Sequence, residues 1–366
     1  MSQRTPRWLI LSAILLLATA AVGCSGRTAK PKGWAPPQST DEIVLAAHRS
    51  DLFAYDAANF QPQWVFPSST GDDDIKPTAL YGASGIDGGV IFIPTYSDKL
   101  YAVELATGEL KWASAFQAGD TLVGGVLASS GLVFFGSTDG YVYALDQETG
   151  VQEWSFKTDA EVWSKPVLDG TTLYVTSLDG HLYALESTTG DELWSFETDA
   201  GIAATPVLSE QDGLIYVGGF DGRLRAIDVS THEQQWERAA SNWFWATPLL
   251  ENGVVYAASL DHSVYAMNAE SGEDHWRDPF NADAEIRAAP VMAGGVLVVV
   301  DRGGNVHALD PQDGSMASET LQLGTNVDAD PLVLENGQVL VVTTGGEMIR
   351  VEPTTLDIVS RVELGN

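Results

Sequence analysis

Trp163, Trp243, Phe244 and Trp245 fall outside the regular spacing of the other tryptophans in this 366-residue chain, and Lys165 and Arg287 lie in comparable segments. Large rings beside an ammonium or guanidinium group do recognition chemistry: stacking, cation–π contact and hydrogen bonding to a partner's oxygens. Asp328 and Asp330 add acceptors in a further segment of the same kind. These eight residues are the candidates for binding a protein partner. The groups needed for covalent chemistry are not assembled. The sequence holds no Gly-x-Ser-x-Gly, no zinc-type His spacing and no phosphate-cradling glycine loop. Its six His stand scattered at 48, 181, 232, 262, 275 and 307. No catalytic residue and no metal site is predicted.

The elements that position the candidates are read from an internal repeat, which is sought before anything else. Asp139 to Trp154 reads DGYVYALDQETGVQEW, and Asp179 to Trp194 reads DGHLYALESTTGDELW. Looser copies end at Trp64, Trp112, Trp236 and Trp276, and two more lack the Trp. An apolar marker two residues before the repeat's Ala falls at Leu52, Leu100, Val142, Leu182, Leu224, Val264, Val306 and Met348, with spacings of 40 to 48.

Each unit reads as four short strands, in one case Val162–Leu168, Thr172–Ser177, His181–Glu186 and Glu192–Glu197. Asp-Gly and Thr-Gly pairs supply the positive φ of the intervening turns. The small Ala lies under the Trp that ends the unit, so Trp64, Trp112, Trp154, Trp194, Trp236 and Trp276 are predicted to pack between blades. Four-stranded units at this period bury both faces only when stacked in a ring. The prediction is an all-β, eight-bladed β-propeller of four-stranded antiparallel blades over residues 41–366, one domain and monomeric. The first unit lacks an innermost strand of its own; either residues 31–38 supply it or the last blade is completed across the join. The candidate residues fall in the segments that link one unit's outer strand to the next unit's innermost strand, at one mouth of the central channel. The alternative is that alternate members of these segments simply line or plug that channel.

Fifty Asp and Glu against 19 Lys and Arg leave a net charge of −31. Such a surface repels phosphate backbones, so a nucleic-acid partner is excluded, and it favours solubility or basic partners.

Residues 1–23 read as a secretory signal: Arg4 and Arg7 precede an apolar run from Trp8 to Val22 that is too short for a comfortable membrane span. The run ends at Ala21-Val22-Gly23-Cys24, which resembles a lipobox, with Cys24 as the lipidated first residue of the mature chain. Ordinary cleavage leaving a free thiol is the other reading; Cys24 is the chain's only cysteine, and lipidation gives that lone thiol a reason. Residues 24–40, rich in Pro, Gly, Ser and Lys, read as a flexible linker.

The pattern Ala-x-Asp-x-x-Thr-Gly-x-x-x-Trp, intact from Ala144 to Trp154, resembles the PQQ-type propeller repeat. Two branches of that resemblance matter. Quinoprotein dehydrogenases hold pyrroloquinoline quinone and Ca²⁺ on the propeller axis, are much longer, and many carry a vicinal Cys pair that this chain lacks. The BamB-like lipoproteins are non-catalytic scaffolds, and they match in size, repeat number, export and anchor. The resemblance to them implies no cofactor, a location in the cell envelope, and a partner belonging to a β-barrel assembly machine. The alternatives are a quinoprotein-like, PQQ-dependent oxidoreductase and a propeller that binds an extracellular ligand or carbohydrate.

Overall fold

A computed structural model describes residues 33–67, 75 and 77–365. Cys24, the signal segment, most of the linker, Asp72–Asp74 and Lys76 lie outside the described residues. The described chain forms eight four-stranded antiparallel sheets, each built from one continuous stretch of sequence. The burial of the strands explains their composition. Second strands such as Val90–Pro94 and Val254–Ala258 are buried on both faces and are almost wholly apolar. Third strands such as Tyr141–Asp146 are buried through their middle, while the outer strand Gln152–Lys157 alternates toward solvent. Blades two, six and seven keep only two residues of regular outer strand, at Phe116–Gln117, Phe280–Asn281 and Leu321–Gln322.

The repeat tryptophans are packed between blades. Ala144 pairs with Trp154 across the third and outer strands, and the indole passes on to the next blade, where Trp154 Nε1 donates to Ser187 O at 2.9 Å. Trp64, Trp112, Trp236 and Trp276 make the equivalent bond to the following blade. Gly190 must be glycine there for two reasons: its φ is 76°, and an added Cβ would lie 2.6 Å from Trp154 Cε3. Trp194 meets His232 at that place instead, and the two rings stack at 4.6 Å.

The Asp of the Asp-Gly turn is a latch. Asp179 Oδ2 accepts from Tyr183 Oη at 2.8 Å and from the Asp159 amide at 2.9 Å, tying the turn to the incoming connector. Asp139 and Asp261 repeat this with Tyr143 and Tyr265. In the seventh blade His307 takes the tyrosine's place and meets Asp301 at 3.3 Å.

The open alternative for the first blade is decided in favour of the segment before it, and two expectations change, the end of the linker and the bounds of one strand. Residues 33–40, read with the linker, belong to the ring: Gln38–Ser39 pairs with Leu45 and Val44 as the innermost strand of the first blade. The eighth blade, from Leu332 to Glu363, is complete in itself, and the ring closes by apolar packing of Val44, Ala46 and Phe60 on Leu340, Val342 and Met348. The innermost strand predicted at Val162–Leu168 is only Val167–Asp169, because residues 162–166 cross the channel mouth as irregular chain.

Candidate functional site

Each connector alternates between the blade core and the axis. Val162, Ile202, Phe244, Ile286 and Val327 are buried between adjacent blades. An amide from the turn between the second and third strands pins the residue just before: Leu178 N donates to Glu161 O, Leu260 N to Trp243 O, and Arg302 N to Glu285 O, all within 2.9 Å. The residues that follow the buried ones are Trp163, Trp245, Arg287 and Asp328, all half-buried. They converge on the axis, since side chains from different blades touch there.

The Arg287 guanidinium of the seventh blade lies 4.3 Å from the Trp245 ring centroid of the sixth and 4.4 Å from the Trp34 ring of the first. Trp163, from the fourth blade, approaches Trp245 at 6.0 Å. Phe220, from the fifth, stacks on Trp243 at 4.6 Å and on Trp245 at 5.6 Å. Trp34 meets Tyr81 edge-on at 4.3 Å, and Tyr81 meets Tyr96 at 5.2 Å. Aromatic rings and one guanidinium thus form a continuous set across the channel mouth.

The charges beside it are organised. Asp328 accepts from Arg302 Nε at 3.0 Å and stands 4.0 Å from Arg287 Nη1, while Arg302 also reaches Glu285 at 3.1 Å. Burial pulls the Arg287 pKa below its ordinary value, with Asp328 acting in the opposite sense. Two donors in this cluster, Trp163 Nε1 and Arg287 Nε, are buried and have no acceptor among the described residues.

Of the predicted binding residues, Trp163, Trp243, Trp245, Arg287 and Asp328 come together here. Three do not belong to the surface. Phe244 is fully buried in the packing between the fifth and sixth blades, on the opposite parity to its two Trp neighbours. Lys165 turns one layer deeper into the channel and lines a cavity there. Asp330 accepts from the Ala289 amide at 2.7 Å, and burial raises its pKa. Four residues of the cluster are new: Trp34, Tyr81, Tyr96 and Phe220. Tyr96 and Phe220 lie in the turn between the second and third strands, at the variable residue that follows the buried Thr95 or Gly219. That variability was their signal in the sequence.

A quinone and Ca²⁺ on the axis would need a matching donor set. No group of three or more His, Cys, Asp or Glu among the described residues is placed to hold a metal ion. At the mouth, the axis is taken by Arg287, Trp34 and Trp245. These residues do not fit that group, and no reaction step is derived through it.

The chain is 25% identical over 285 residues to the outer membrane protein assembly factor BamB of Moranella endobia (strain PCIT), covering 75% of this chain and 72% of that one. It is 28% identical over 138 residues to the 1-butanol dehydrogenase (quinone) of Thauera butanivorans, a match spanning only 22% of that enzyme. The crystal structure of BamB from Moraxella catarrhalis superposes with a TM-score of 0.73 at 22% identity, covering 85% of this chain and 93% of that one. The family model described as outer membrane protein assembly factor BamB matches residues 48–155, 118–211 and 198–357. With the repeat matched from blade to blade over most of its length, the chain belongs to the BamB family of PQQ-repeat propellers.

Proposed function

We propose that this protein is a non-catalytic scaffold of the cell envelope, anchored through a lipid on Cys24, which holds a protein partner against the aromatic mouth of its channel during outer-membrane protein assembly. The observation that carries the reading is the pair of buried, unpaired donors at the mouth, Trp163 Nε1 and Arg287 Nε. Buried polar groups are almost always satisfied, and an orphan costs about 1–3 kcal/mol. Carbonyl oxygens of an incoming chain would satisfy both while its side chains stack on the half-buried rings of the mouth. The names of the relatives support assembly of outer-membrane proteins as the setting. The signal-like residues 1–23 support export.

Affinity capture from native membranes tests the docking surface. Trp243 and Tyr96 are changed together to Ala, because Tyr96 is 38% exposed and neither side chain stacks on Arg287. The double variant should stay folded, melting only a few degrees lower, and lose the partner; capture at the wild-type level refutes the mouth as the docking surface. Cys24→Ala should move the protein out of the membrane fraction, and a variant that stays there refutes the anchor. The dehydrogenase match favours a quinoprotein as the second reading. Titrating the protein with pyrroloquinoline quinone and Ca²⁺ separates the two, since a quinoprotein develops the spectrum of the bound quinone.

A further inference from the structure

One layer below the aromatic mouth, the channel holds a cation with no counter-ion among the described residues. Lys165 stands two residues after Trp163, and its stem crosses Gly125 of the neighbouring blade so closely that an added Cβ there would lie 2.9 Å from Lys165 Cβ. Its side chain lines a cavity of about 330 Å³ among the innermost strands of the first three blades. Ser39, Thr40 and Ser84 bring hydroxyls to that cavity, Ile86 and Leu127 bring apolar walls, and among the described residues Lys165 is the one ionisable residue lining it. Among the described residues, the Lys165 ammonium has neither an ion pair nor a hydrogen bond.

The position has a structural job in other blades that lysine cannot do. Thr205 accepts the Lys165 amide at 3.1 Å, and Asp330 accepts the Ala289 amide at 2.7 Å, each stitching one connector to the next. An ammonium has donors only. Burial without a partner penalises its charged form, and its pKa is pulled below the ordinary lysine value. A partly desolvated ammonium without a partner disfavours its own charge, which an anion in the cavity would offset.

We propose that this cavity binds a small carboxylate, which takes the Lys165 ammonium as its counter-ion and the hydroxyls around it as further donors. A volume of about 330 Å³ lies at the small end of ligand sites. A single cation with no arginine fork and neutral walls suits one negative charge better than a phosphate dianion. In a protein of net charge −31, an anion needs such a dedicated site. The carboxylate could be that of a free organic acid or the C-terminus of a polypeptide. The site is distinct from the mouth, so its failure would leave the scaffold reading intact.

The test is thermal unfolding of the full chain in sodium acetate, sodium succinate or a short peptide with a free C-terminus. Sodium chloride at equal ionic strength and the amidated peptide are the controls. At ten times the Kd, a bound carboxylate should raise the melting temperature by about 2 °C. Lys165→Met should melt higher than wild type without ligand and lose the carboxylate shift, while Lys165→Arg should retain it. A shift from acetate or succinate assigns a free acid, and one confined to the free-carboxylate peptide assigns a chain terminus. No carboxylate-specific shift in wild type, or an equal shift in Lys165→Met, overturns the proposal.

Discussion

The Arg350 guanidinium lies 4.1 Å from the ring centroid of Phe60, across the seam where the eighth blade meets the first. Most other seams have a Trp resting on a glycine at this place. Here Arg350 stands at the repeat's Ala, Ser360 at its Trp and Phe60 at its Gly. Arg350 Nε donates to Ser360 Oγ at 2.7 Å, and Phe60 keeps the positive φ of the glycines it replaces, at 58°. A long cation from the small position and a ring from the glycine position fill the same gap between blades.

Arg350→Ala should therefore cost about 1–3 kcal/mol, combining lost packing with a lost cation–π contact. Phe60→Ala should cost a similar amount, and the double variant clearly less than the two added together, because either change alone empties the seam. Urea denaturation of the four proteins measures this. Strict additivity would show that the seam is held elsewhere.

Alkaline pH should weaken the fold through the Asp–Tyr latches. Burial, then the hydrogen bond to Asp261, pushes the Tyr265 pKa up to about 12. Tyr143 and Tyr183 are raised further by burial and by Asp139 and Asp179. A phenol whose pKa is raised on folding contributes stability that is fully present below the unfolded value of about 10 and lost as pH rises through the folded value. The urea midpoint should thus be level from about pH 7 to 9 and fall between about 10 and 12. Tyr265→Phe should lower the midpoint at neutral pH and make the alkaline fall shallower. A fall of unchanged slope would place the transition on other groups.

At the mouth, Arg287 and Trp245 should be energetically coupled. A guanidinium held 4.3 Å from an indole in a partly desolvated site is worth about 1–2 kcal/mol. Arg287→Met, Trp245→Ala and the double variant form the cycle. A coupling near zero would mean that the contact is incidental. Arg287→Lys should recover little of the loss, since an ammonium cannot lie flat against two rings.

The architecture was legible because the repeat is local. Asp-Gly turns, alternating apolar residues and a Trp in register each act within one unit, so 40-odd residues suffice to read a blade. The connector residues were legible as exceptions to the repeat, and Trp163, Trp243, Trp245 and Arg287 were found that way. Phe244 was misread because a run of three aromatic residues does not reveal which parity faces the axis. The backbone bonds of Trp243 O and the apolar contacts of Phe244 in the fifth and sixth blades decide that.

By itself, the sequence determined eight blades, most of their strands and the inter-blade tryptophans, all patterns carried by near neighbours in the chain. Tertiary structure alone decided that Trp34, outside the predicted ring, meets Arg287, more than 200 residues away. It also sent Lys165 beneath the mouth rather than onto it. Ring closure brings the first and seventh blades to a common axis, and the direction of a side chain there depends on the space its neighbours leave. Gly125 leaves room for the stem of Lys165, and no pattern around residue 165 records it.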